Sequence, residues 1–409
     1  MVTPLEGIRI IDWTQWQLGP VATAMMADLG ATVIHVEDRV TGDAGRGLWN
    51  IDGYTDWMPG GRRPYFETNN RGKKSLTLDL VKQKGKEVLY RLVKNSHVFV
   101  HNMRQGVPEK LGLDYETLRQ HNPKLLYVAG SGYGPKGPEA NEPSFNEVAM
   151  ARSGIYSQIG EPGKMIEHAI GGGAIADQMG AIMTAYAILV GLLARERYGV
   201  GQKVDVSHLG AMIVLQGLAV SRQLYLGEKG SEGRVSRKKA SNPLWNRYPC
   251  QNEKWISLAM LQSDRYWPTM CRALGIEHLE KDPRFENQAK RKENCEELIA
   301  IMDEIFMTKS VTEWLKILRD AGDIICTPVQ TLADLASDPQ VLANNYITDY
   351  NHEVLGPIKV VGLPIQLSET PGVVKAEAPE FGQHTEEVLL EIGGYTWEEI
   401  AQLREEEVI

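Results

Sequence analysis

Within the first 36 residues a strand, a helix and a second strand follow one another, and that order allows few folds. Ile8, Arg9, Ile10 and Ile11 make a short run rich in β-branched residues. Val21 to Leu29 then reads as a helix after Gly19-Pro20, and Ala31 to Val36 as the next strand. Gly30 stands where a helix C-terminal cap belongs. A β-α-β unit this short joins parallel strands through a right-handed crossover. The rhythm continues with strand-like runs at 76–78, 97–100, 125–129 and 204–206, and helical stretches at 82–94, 107–120 and 177–198. The alternation predicts an α/β chain built on an open, Rossmann-like sheet. In the last of these helices Ile182, Ala185, Tyr186, Leu189, Leu192 and Leu193 recur at three- and four-residue steps and read as its core face.

The chain has 409 residues, which at roughly 150 per domain suggests two or three domains. Residues 227–242, rich in glycine, serine and basic side chains, read as a polar connector. The expected division is a large domain begun by 1–226, a connector with a smaller α+β domain over 227–325, and a return link with the rest of the large domain over 326–409. With 44 Lys+Arg against 53 Asp+Glu the net charge is -9, which argues against a broad nucleic-acid surface. The longest uncharged apolar run, 181–193, has 13 residues, short of the about 20 that span a bilayer. The opening Met-Val-Thr-Pro-Leu-Glu-Gly lacks a basic region followed by an apolar one, so no signal peptide is expected. Cys250, Cys271, Cys295 and Cys326 are widely spaced, as suits reduced thiols in a cytoplasmic protein.

Familiar site motifs are missing. No Gly-x-Gly-x-x-Gly follows the first strand. Gly130, Gly132 and Gly134 have another spacing and run into Pro135, and neither a Walker loop nor Gly-x-Ser-x-Gly occurs. His97 and His101 lack a zincin pattern and the other histidines scatter, so no metal site is expected. Arg71, Lys73 and Lys74 could hold phosphates, but taken alone they read as a solvated turn. The best local candidate is Gly171-Gly172-Gly173-Ala174-Ile175-Ala176-Asp177. Small residues let another molecule approach, and a helix N-terminus keeps a carboxylate ionised and able to act as a nucleophile. Asp is equally a preferred helix cap, and the residues alone favour that role.

A wider pattern shifts this balance. Pro4 to Asp12, Gly19-Pro20, Asp28 to Glu37, Asn70 to Leu76, Leu111 to Tyr115, Gly132-Tyr133-Gly134, Ala176-Asp177, Arg195 to Gln202 and Gly382 to Val388 together resemble the family III CoA-transferases, in the family's order. The resemblance implies that coenzyme A thioester is a substrate, no cofactor is tightly bound, and CoA passes from an acyl-CoA to a free carboxylic acid. Asp177 would carry it covalently, as a mixed anhydride and then an aspartyl-CoA thioester. Gln17 matches a position beside the reactive carbonyl. Arg71, Lys73 and Lys74 match the region meeting the adenosine end of CoA. Asn102 and Lys110 match a further CoA-contacting stretch, and Arg39 stands beside Asp38 where a relative carries a basic residue. The family fold further implies an interlaced, ring-like dimer, with itself or with a related subunit.

Departures from the family pattern bear on substrate. The glycine-rich lid of formyl-CoA transferase is missing, and 238–245 reads Lys-Lys-Ala-Ser-Asn-Pro-Leu-Trp instead. The region that the resemblance implies around the reactive carboxylate is rich in tryptophan, with Trp13, Trp16, Trp49 and Trp57, which suggests a bulky or aromatic acceptor such as 2-benzylsuccinate, with succinyl-CoA as a donor; the alternative is that they are core. Two rival functions stand beside this one. An α-methylacyl-CoA racemase would need a histidine where this chain has Asn141 to Asn146, and His168 is not recommended by spacing. A CoA-binding subunit needing a partner chain is suggested by Asn146, where relatives often carry an acid.

Overall fold

Six strands, the first five buried on both faces over most of their length, pair in parallel: β1 (Arg9–Trp13), β2 (Thr32–Asp38), β3 (Lys74–Leu78), β4 (Val98–His101), β5 (Leu126–Ser131) and β6 (Gln202–Ser207). Their order is β3-β2-β1-β4-β5-β6, the Rossmann order, in which the direction of travel reverses between β1 and β4. Ile10 pairs with Val33 on one side and Val98 on the other. The structure, a computed structural model, describes residues 2–47, 57–159, 174–227, 236–375 and 377–409. Gly171 to Gly173, Trp49, His168 and residues 228–235 of the connector lie outside these.

Side-chain alternation along the strands supplies two core layers. Ile10, Val33, Val98, Val100, Leu126 and Val128 pack with Met26 and Ile188 on one face. Ile11, Ile34, Phe99 and Tyr127 pack with Leu89, Leu92, Leu389 and Leu403 on the other. The C-terminal helices Thr385–Glu391 and Trp397–Glu405 therefore complete the core that the N-terminal strands begin.

Helix α1 (Leu18–Asp28) starts three residues earlier than the pattern suggested, with Gln17 at its N-cap position. The stretch 107–120 divides into Val107–Leu111 and Tyr115–His121. Gly112 at φ 68 ends the first, and the Asp114 carboxylate accepts from Thr117 N–H to start the second. Further on come α2 (Asn146–Arg152), α3 (Ile175–Tyr198), α4 (His208–Leu215) and α5 (Gly217–Leu226).

The expected core face of α3 needs correction. Ile182, Tyr186 and Leu193 are exposed, whereas the buried residues include Ala176, Gly180, Ala181, Thr184, Ala185, Ile188 and Gly191. Small residues win that face because α3 lies close to its neighbours. A Cβ added at Gly191 would come within 2.5 Å of Leu126 Cδ1, and one at Gly180 within 2.7 Å of Leu18 Cδ1. The strict apolar count also understated α3, which holds an 18-residue window of mean hydropathy 1.5 and is long and apolar enough to cross a bilayer. In the fold it packs on α1 and β5.

Described residues of 2–156, 174–227 and 339–409 form one compact unit, and 157–159 with 236–338 a second. The first includes the hairpin of Ile347–His352 and Gly356–Val361. The second holds a three-stranded antiparallel sheet, Arg247–Pro249, Trp255–Leu258 and Cys326–Val329, over a core including Trp267, Phe285, Phe306 and Trp314. Cys326, read as the start of a return link, lies opposite Leu258 in that sheet, so the unit continues past 325. All four cysteines are free; burial raises the thiols of Cys250 to about 11 and Cys271 to about 12 and leaves both unreactive.

Candidate active site

The segments that follow β1, β4, β5 and β6 converge at one edge of the sheet, outside the point where strand order reverses. Open α/β sheets bind ligands in that crevice. A cavity of about 930 Å³ occupies it, lined among others by Gln17, Tyr65, Asn102, Arg104, Asp177 and His208.

Asp177 sits in the first turn of α3, but it is not the cap. The N-cap position belongs to Ala174, whose methyl group accepts nothing. Asn146 takes over that duty from α2: its Oδ1 accepts from Ala176 N–H at 2.9 Å and from Asp177 N–H at 3.4 Å. The Asp177 carboxylate is thereby free for other work, at the positive end of a 24-residue helix. Its Oδ1 lies 2.8 Å from His208 Nε2. Oδ2 has no hydrogen-bond partner among the described residues. His208 follows β6 directly and is the site residue that sequence reasoning missed. The available signal was a histidine immediately after a strand of a parallel sheet.

The loop after β1 is held at several points. Asn102 clamps the Gln15 backbone twice, accepting from its N–H at 2.9 Å and donating to its carbonyl at 2.6 Å. Asn69 donates to the Trp16 carbonyl at 3.4 Å. Trp16 adopts φ 69, a left-handed conformation costly for a bulky residue. Its ring meets Phe145 edge-on, with centroids 5.5 Å apart. The Gln17 side-chain amide has no partner among the described residues and lines the cavity.

Beneath this loop lies a buried network of charges. Asp12, at the end of β1, accepts from Thr14, Thr23, His35 and Lys73. His35 also contacts Asp43 at 3.1 Å. Burial raises the Asp12 carboxyl, but Lys73 and His35 outweigh it and hold the group well below the usual carboxylate range. Burial disfavours the His35 imidazolium, yet Asp12 and Asp43 push it up to about 9. Tyr65 is kept a neutral phenol, first by burial and then by the carboxylates of Asp177 and Asp43.

Most of the expected phosphate contacts lie elsewhere. Lys73 is fully buried and spent on Asp12 at 2.8 Å and Asn70 at 2.8 Å, so the reading of Lys73 as a ligand contact is corrected. Arg71 grips Asp28 through Nε and Nη2, the latter at 2.6 Å. Lys74 pairs with Glu387, and Arg39 with Glu407 at 3.5 Å. None of these four lines the cavity, and neither does Lys110; Asn102 does. Arg104 is the cation that sequence reasoning passed over: it is exposed, lines the cavity, and has no ion-pair partner among the described residues. Of the tryptophans, Trp13 is core, Trp57 is exposed beneath the Arg63 guanidinium at 4.0 Å, and Trp16 lines the cavity. Among the described residues no cluster of His, Cys, Asp or Glu is arranged to hold a metal ion.

The site is thus a crevice at the carboxyl edge of a Rossmann-ordered sheet, lined by a carboxylate and side-chain amides. The chain belongs to CoA-transferase family III, whose family model matches residues 5–385, and it is a CoA-transferase. It is 31% identical to an acyl-CoA transferase of Fusarium pseudograminearum over 99% of this chain and 88% of that one. It is 28% identical to the (R)-2-hydroxy-4-methylpentanoate CoA-transferase of Clostridioides difficile over 99% of both chains. A CAIB/BAIF family protein from Brucella suis has a similar structure, with a TM-score of 0.84, 27% identity, and coverage of 96% of this chain and 100% of that one.

Proposed function

We propose that this chain moves CoA from an acyl-CoA to a free carboxylic acid through covalent intermediates on Asp177. A carboxylate oxygen of Asp177 attacks the thioester carbonyl, the C–S bond breaks, and CoA thiolate leaves a mixed anhydride. The thiolate adds to the aspartyl carbonyl and expels the donor acid, giving an aspartyl-CoA thioester. The acceptor carboxylate then displaces the thiolate to form a second anhydride. Attack of the thiolate on the acceptor's acyl carbon releases the new acyl-CoA and restores Asp177. No water is consumed, so the thioester's free energy is conserved.

The observation that carries this reading is that Asn146 takes over the capping of the helix, leaving one oxygen of the cavity-lining Asp177 carboxylate without a hydrogen-bond partner among the described residues. Gln17, with its amide unpaired among the described residues, supplies a donor for charge developing on the acyl oxygen. Arg104, with Lys110 on the helix that follows it, replaces Arg71, Lys73 and Lys74 as the cations for CoA phosphates, and Asn102 acts through the loop it clamps. The Trp16–Phe145 wall supports a bulky or aromatic acid such as 2-benzylsuccinate, with succinyl-CoA as a donor, and the relative named for a branched 2-hydroxy acid points the same way.

A transfer assay pairing several acyl-CoAs, succinyl-CoA among them, with branched and aryl acids tests this. The purified chain should form new acyl-CoAs by itself, and Asp177→Ala should lose at least roughly 10³-fold. Activity only after addition of a second subunit would favour the partner-dependent reading.

The His208–Asp177 pair offers an acid and a base, the apparatus of the racemase reading. Racemisation needs the two groups on opposite faces of a carbon, whereas these are hydrogen-bonded to each other at 2.8 Å. Deuterium from D₂O entering the α-carbon of a 2-methylacyl-CoA, without CoA transfer, would reverse this choice.

A further inference from the structure

His208 has no task in the cycle above, yet the fold positions it closely. It is 7% exposed, and its Nε2 approaches Asp177 Oδ1 at 2.8 Å. A carboxylate has no proton to offer, so the hydrogen of this bond lies on Nε2. Nδ1 is buried and has no partner among the described residues. The ring's hydrogen bonding is therefore committed to Asp177. Ser207 Oγ accepts from Gly210 N–H at 3.0 Å and fixes the start of α4. The ring also packs on Gly180, where an added Cβ would lie 3.1 Å from His208 Cδ2. The two Asp177 oxygens are thus inequivalent: one is held by an N–H donor and the other has no described partner.

We propose that His208 is a further catalytic residue, which holds Oδ1 as the spectator oxygen and stabilises the charge that forms on it. This rests on the reading of Asp177 as the nucleophile. Oδ2 attacks the donor acyl carbon and becomes the bridging oxygen of the anhydride. When CoA thiolate adds to the aspartyl carbon, the electron pair of that carbonyl moves onto Oδ1, where the Nε2–H already points. Collapse reforms the carbonyl, breaks the bond to Oδ2, and Oδ2 departs within the donor acid. The acceptor acid then supplies the oxygen that takes the Oδ2 place, and Oδ1 stays through the whole cycle. Gln17 and His208 divide the work: one serves the substrate's carbonyl, the other the enzyme's own. Such donors are typically worth about 10²–10³-fold in rate.

Oxygen counting tests this. The chain is cycled with an acyl-CoA that supports transfer, together with a large excess of the corresponding acid carrying ¹⁸O in both carboxylate oxygens. The peptide containing Asp177 is then weighed. The wild type should carry one ¹⁸O at Asp177, while His208→Ala should carry two, because an unpinned carboxylate turns over between cycles. His208→Ala should also form the aspartyl-CoA adduct about 10²–10³-fold more slowly, with KM for acyl-CoA little changed, and His208→Gln should recover part of the loss. Two ¹⁸O atoms in the wild type, or a wild-type rate of adduct formation in both variants, would overturn the role of His208. No ¹⁸O at all would remove the Asp177 reading and this one with it. If the alanine variant does not fold, the wild-type count still decides.

Discussion

At the residue scale, the site turns on which charges are already spent. An acidic chain that binds a polyanion must leave some cations free, and Lys73 shows that basic sequence is not the same as basic surface. Its ammonium is buried against Asp12, so Lys73→Met should behave as a folding mutation. Removing one charged partner from that buried carboxylate should cost about 3–5 kcal/mol in denaturant unfolding, with KM for acyl-CoA unchanged in the folded enzyme. Arg104→Ala should do the reverse, raising KM roughly 10-fold at unchanged stability, as loss of one phosphate contact implies. The same network makes stability depend on pH. His35 has its pKa raised from 6.5 to about 9 on folding, so its contribution is complete below about pH 6.5 and fades as pH rises through 9. Urea midpoints of the wild type should therefore fall from pH 6.5 to 9.5, and His35→Gln should flatten that fall. A wild-type midpoint rising over this interval, or an unchanged slope in the variant, contradicts the assignment.

At the scale of elements, the helix that carries Asp177 is capped from another helix. Asn146→Ala should cost about 0.5–2 kcal/mol and slow formation of any Asp177 adduct, whereas Asn146→Asp, which keeps an acceptor, should retain most of the stability. Equal stability of wild type and alanine variant would sink the cross-helix cap. Gly180→Ala should displace His208 or Leu18 and lower kcat more than it raises KM. These elements also show what could be read from the chain. Strand and helix alternation gave the sheet, because β-branched runs buried on both faces leave a continuous apolar signature. The resemblance gave Asp177 and Gln17 as candidates. The buried face of α3 was misread because it is set by close approach of neighbours and not by apolar bulk. The Asn146 cap and His208 joined Asp177 only through contacts 31 residues away, which periodicity does not encode.

At the scale of the whole molecule, α3 leaves Ile182, Tyr186, Val190 and Leu193 exposed along one stripe, and Leu218, Leu224 and Tyr225 of α5 are exposed too. Clustered apolar surface is what association covers, and these residues are the ones that the interlaced dimer implied by the family resemblance would bury. Light scattering should give about twice the chain mass of 45.6 kDa, and Tyr186→Lys with Leu193→Lys should reduce it; a wild type that scatters as a single chain contradicts the dimer. The central claim, that Asp177 carries CoA covalently, is tested most directly by rapid quenching after mixing with a transferring acyl-CoA, followed by mapping of the adduct. A CoA thioester on the Asp177 peptide, absent from Asp177→Ala, is the predicted result. Normal transfer by Asp177→Ala, with no adduct anywhere in the wild type, is the result that contradicts it.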